Sequence, residues 1–147
     1  MNSSNSSYAA PMIYISYWEL FQKYYTPLLR EVDILLKTTD THISIAEAAH
    51  ALRMPMKKAR AIMGDVSHID RAKLLDMMMR GDSTICRLYQ RECACGSPVL
   101  YSPETIAYIY NLQAEHVKEV CREYGATTVS ANDLPAVLDR IFVFIVN

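Results

Sequence analysis

SIAEAAHALRMPMKKARAIM, residues 44–63, decides how the rest of the chain is read. Ser44 stands three residues before Glu47, the spacing at which a serine caps a helix and a glutamate returns the bond. Ala48, Ala49 and Leu52 then recur at helical steps. A polar break at Arg53 follows. Pro55 opens a second short segment whose cations are Lys57, Lys58 and Arg60, with no acid before Asp65. The spacing predicts two short helices joined by a three-residue break, with an apolar inner side and a cationic outer one.

The pattern occurs again. YSPETIAYIYNLQAEHVKEVC, residues 101–121, lies over residues 43–63 at a constant offset of 58. Ala49 falls on Ala107, Leu52 on Tyr110, Met54 on Leu112, Ala59 on Val117 and Ile62 on Val120. Ser102 precedes Pro103 as Ser44 precedes its own helix, a cap followed by proline at the first helical position. Beyond this point the offset slips to 60, with Ile69 on Val129 and Leu74 on Leu134. Short β-prone pieces flank each helix pair, and a third helix is expected from Asp70 in one copy and from Ser130 in the other. Each unit therefore reads as β-α-α-β-α, with strands only a few residues long.

Working outward, residues 1–11 read as a loose polar tail with no basic stretch of the kind a signal peptide needs. Residues 12–40 read as a helical segment, because Ile15, Trp18, Phe21 and Tyr25 share one face. Thr26-Pro27 marks a second start within it. Unit one spans 41–80, and residues 81–98 form a connecting helix capped at Asp82 or Ser83 and stopped at Gly96, with a strand as the fallback. Unit two spans 99–147. It ends in the apolar IFVFIVN, which either finishes inside the core or pairs with another copy of the chain. His50 sits where the second unit has Tyr108 and is expected to be a partly buried packing residue. The fold class is mainly α: a compact helical domain of two echoing units plus the N-terminal segment.

Composition sets the outer limits. An apolar fraction of 51% with 21% charged residues is that of a globular chain. No run of eighteen apolar residues is present, so no membrane partner is expected. The net charge of −1 hides an asymmetry: nine cations against four anions between Arg53 and Arg91, and six against twelve elsewhere. A basic middle between acidic ends can steer one face toward phosphate, though solvated side chains on a helix face give the same count. Cys86, Cys93, Cys95 and Cys121 form no C-x-x-C pair, so free thiols are expected and no metal or other cofactor. Arg87 and Arg91 beside the thiols allow a lowered thiol pKa, the basis of a minor reading as a redox- or metal-responsive regulator using Cys86, Cys93 and Cys95, in which zinc would have to recruit His68 or His116. With four glycines and scattered histidines, no catalytic constellation is legible and an enzyme is not expected.

The short β piece, the capping Ser44 and the run Glu47-Ala48-Ala49-x-x-Leu52 resemble the helix-turn-helix of excisionase and MerR-like DNA-binding families, over about 30 residues per unit. The two-stranded wing that usually follows is missing or cut to a stub at residues 65–68, and neither turn carries glycine. The resemblance implies a bacterial transcriptional or mobile-element regulator that reads duplex DNA with the helix at 55–63, and the lack of a signal-like or spanning stretch makes the cytoplasm the expected location. Arg53, Lys57, Lys58 and Arg60 would make the contacts, with Arg71 and Lys73 as flanking phosphate contacts. Homodimerisation through the N-terminal helix or the C-terminal apolar segment is a further expectation. In the second unit Glu115, Glu119 and Glu123 oppose the cations, which supports an alternative: a protein-interaction adaptor or anti-regulator built on the same scaffold without DNA binding.

Overall fold

The structure, a computed structural model, describes residues 12–38, 42–96 and 98–146. The tail expected at residues 1–11 lies outside them. The elements run β1 (Met12–Ser16), α1 (Tyr17–Tyr24), α2 (Thr26–Thr38), β2 (Ile43–Ser44), α3 (Ile45–Ala51), α4 (Met56–Met63), β3 (His68–Ile69), α5 (Arg71–Arg80) and α6 (Thr84–Ala94). They continue with β4 (Leu100–Tyr101), α7 (Pro103–Tyr110), α8 (Ala114–Tyr124), β5 (Val129–Ser130), α9 (Leu134–Leu138) and β6 (Phe142–Val146). The chain is mostly helical. Among the described residues no helix is long and apolar enough to cross a membrane.

The order β-α-α-β-α occurs twice, and local chemistry explains both. Ser44 Oγ accepts the Glu47 amide at 3.0 Å and Ser102 Oγ accepts that of Thr105 at 3.1 Å, each satisfying an orphan donor of the first turn. The short strands pair antiparallel across the base of each unit, Ile43 opposite Ile69 and Tyr101 opposite Val129. Between the two helices, Arg53 and Asn111 both take the left-handed conformation, with φ of 53° and 56°. At each turn a backbone bond closes over the helix end, Met54 to Ala49 at 2.8 Å and Leu112 to Ala107 at 2.9 Å. Neither position needs glycine, because asparagine tolerates this region and Arg53 gains bonds there that are described below.

Each unit has its own core. The first gathers Ile43, Leu52, Leu74, Met77 and Ile85 under α2, from which Val32 descends. The second gathers Ile106, Ile109, Val117, Val137 and Ile141 under α1, from which Tyr17 descends. Helix α6 serves both, giving Ile85 and Cys86 to the first and Leu88 to the second. It also closes helix ends with side chains. Gln90 Nε2 donates to the Met78 and Gly81 carbonyls at 2.9 and 2.7 Å, and Arg91 Nε donates to the Ile109 carbonyl at 2.7 Å. The orphan carbonyls of α5 and α7 thus find partners on the shared helix.

Three expectations are corrected. Residues 12–16 are a strand and not the start of a helix: β1 pairs antiparallel with β6, Tyr14 opposite Phe144, so residues 142–146 pair within their own chain. The helix begins only after Ser16, whose Oγ accepts the Glu19 amide at 3.1 Å and donates to Asp139 Oδ1 at 2.8 Å. Helix α9 starts at Leu134, four residues later than expected. Pro135 has no N–H to give to Ala131, and Ser130 and Asp133 bond each other in the turn that precedes it. His50 is exposed rather than packed, with Nε2 3.4 Å from Glu31 Oε1.

Glu92, on the second-core side of α6, has a carboxyl pushed above its usual range by burial. Its folded pKa therefore exceeds the unfolded one, and its ionisation opposes folding as pH rises from the unfolded value through the folded one. Glu92→Gln is expected to raise the urea midpoint at pH 7, with the gain shrinking below pH ~4, where the unfolded carboxyl is also protonated. An equal gain at both pH values would assign the effect to packing alone.

Candidate nucleic-acid interface

Helix α4 is held by what surrounds it more than by its own sequence. Pro55 precedes it without a side-chain cap, and Ala59 is its one fully buried residue. Its last turn is pinned from α5, where Arg80 Nη2 donates to the Ile62 carbonyl at 2.6 Å and Nη1 lies 3.5 Å from Asp76. Gly64, at φ 81°, ends it. With Ala59 inward, Lys57 and Arg60 are exposed on the outer side, three residues apart and therefore neighbours on the helix surface. Among the described residues neither forms an ion pair or a side-chain hydrogen bond.

The other cations named from the sequence are placed differently. Arg53 turns back into the fold: Nη1 donates to the His50 carbonyl at 2.6 Å and Nη2 to Glu31 Oε2 at 3.1 Å. It ties the turn to α2 and offsets its own left-handed backbone. Lys58 is about one-quarter of a helical turn from Lys57. Its ammonium lies 3.9 Å from Asp82, just ahead of α6. Arg71 and Lys73 are both exposed on the first turn of α5. Two residues apart on a helix, they point about 200° from each other, so one flat surface meets one of them and not both. Asp70 caps α5 by accepting the Lys73 amide at 2.8 Å and adds a carboxylate beside that first turn.

The corresponding helix of the second unit, α8, presents the opposite chemistry. Glu119 and Glu123 are exposed, and Lys118 is held between Glu104 at 3.4 Å and Glu115 at 3.6 Å. The Glu104 carboxyl sits below its usual range, held there first by its own backbone amide at the front of α7 and also by Lys118.

Among the described residues no three His, Cys, Asp or Glu side chains come together as a metal site. Cys86 and Cys121 are buried, whereas Cys93 is exposed. Sequence reasoning missed one group. Arg87 and Arg91 were read as part of the basic middle and as neighbours of the thiols, and the structure sets them in a cleft with Tyr17, Tyr25, Tyr110 and Asn111. The i, i+4 spacing of the two arginines was the available signal; the opposite wall comes from β6, far away in sequence. Comparison with protein-family models, with curated proteins and with solved structures yields no match to this chain.

Proposed function

We propose that the chain is a DNA-binding regulatory protein built from two helix-turn-helix units, and that it reads duplex DNA with α4. The observation that carries the reading is the pair Lys57 and Arg60, exposed on the outer side of the second helix of a hairpin whose turn is left-handed. That helix is the one a helix-turn-helix lays in the major groove, and cations exposed on it can meet phosphate and guanine edges. Lys58 and one of Arg71 and Lys73 flank the contact, while Arg53 holds the turn. The stub at residues 65–68 supplies no wing, so the contact is short. A second chain, docked through the N-terminal helices or the β1/β6 ribbon, would extend it to two half-sites.

The test is a fluorescence-anisotropy titration of a mixed-sequence duplex in low salt. Binding by the native chain, and its loss when Lys57, Lys58 and Arg60 are all alanine with unchanged far-ultraviolet circular dichroism, supports the reading. Absence of binding by the native chain ends it.

The acidic α8 favours a second reading, a protein-interaction adaptor, because carboxylates on a groove-facing helix repel phosphate. Under that reading, duplex binding is absent in any salt.

A further inference from the structure

A cleft of about 430 Å³ opens between α6, α1, the turn after α7 and β6. Its size lies within the range of small-molecule sites. The floor is aromatic: Tyr17 and Tyr110 are buried, with rings 5.8 Å apart and edge to face. Arg87 and Arg91, one helical turn apart on α6, form one wall. Neither makes an ion pair among the described residues. Like charges at this spacing repel unless an anion stands between them. Arg91 is fixed by the bond from Nε to Ile109, which leaves its two terminal nitrogens for other partners. Arg87 is exposed, and its side-chain bond to Gln90 is a long one, 3.5 Å.

The lining also holds the Tyr25 ring, the apolar side chains Leu20, Val143 and Ile145, and Asn111, which offers an amide. One acid, Asp82, also lines the cleft, and its carboxylate is 3.9 Å from Lys58 on the far side. The lining thus has a cationic end, an aromatic body and a net positive charge. Burial and neighbouring Tyr25 push the Tyr17 phenol up and keep it protonated, and the Arg91 charge acts in the other direction.

We propose that this cleft binds a small aromatic anion, its carboxylate or phosphate held by Arg87 and Arg91 and its ring lying against Tyr25 and the apolar Val143 and Ile145. A bidentate guanidinium suits either anionic group, and the stacked ring supplies the apolar contact that a bare ion lacks. The site is remote from the outer face of α4 in composition, and it stands whether or not the chain reads DNA.

Isothermal titration with benzoate and with phenyl phosphate tests it, with benzyl alcohol and inorganic phosphate as controls. At least one of the two aromatic anions is expected to bind in the millimolar range or tighter, and both controls at least tenfold more weakly. Arg87→Gln should weaken binding about tenfold without loss of fold, because Arg87 is exposed and holds no element in place. Asp82→Asn should strengthen it. The Lys57→Ala, Arg60→Ala double variant should bind as the native chain does. The proposal is overturned if neither aromatic anion binds, if phosphate alone binds as well as phenyl phosphate, or if Arg87→Gln and Asp82→Asn leave binding unchanged.

Discussion

Alanine at both Lys57 and Arg60 is expected to lower duplex affinity on the order of a hundredfold near 0.1 M salt, from roughly tenfold per lost phosphate contact. The fold should be intact, since both side chains are exposed and neither makes an ion pair among the described residues. The comparison with Arg53 is the informative part. Arg53→Gly removes an equally charged side chain four residues from Lys57. In this structure, however, its guanidinium is spent on His50 and Glu31. Glycine relieves the left-handed backbone, worth about 1 kcal/mol, and loses an exposed ion pair worth up to about 1 kcal/mol, so stability changes little. Affinity should change little too. If Arg53→Gly weakened binding as much as the double variant, the placement of the contact on the outer face of α4 would be wrong.

Gly81→Ala is expected to destabilise the first unit by about 1–3 kcal/mol, the usual range for overpacking a filled core. The reason is space and not backbone freedom, since Gly81 has an ordinary φ of −80°. A methyl there would stand 2.5 Å from Cys86 Sγ and 2.8 Å from Met54 Cε. Cys86 is fully buried where α6 crosses the end of α5, so its sulfur has nowhere to go. The methionine tip is flexible and yields more easily. Adding Cys86→Ala to Gly81→Ala removes the closest atom and should restore part of the loss, read as non-additivity in a double-mutant cycle of urea midpoints. Strict additivity would show that the clash does not cause the loss.

This junction also shows how much of the fold was legible in the sequence. The mainly helical character and most helix starts follow from local chemistry, and Ser44, Ser83, Asp70 and Ser102 all cap where the pattern places them. Strand β1 was not legible, because a five-residue strand is decided by its partner, and β6 lies more than a hundred residues away. One local signal was there to find: Ser16 stands three residues before Glu19, a capping pair that marks the helix start after the strand. Among the site residues, cationic character was readable and availability was not. Whether an arginine faces water or a helix end depends on Glu31 in one case and Ile109 in the other, and neither lies near it in sequence.

The most direct measurement of the central claim is the salt dependence of duplex binding. With contacts drawn from Lys57, Arg60, Lys58 and one of Arg71 and Lys73, log affinity should fall against log salt with a slope between about −2 and −3.5, at roughly −0.9 per phosphate neutralised. The Lys57→Ala, Arg60→Ala variant should be shallower by about 2. A slope near zero in the native chain, or one that the double variant leaves unchanged, would contradict DNA reading by α4.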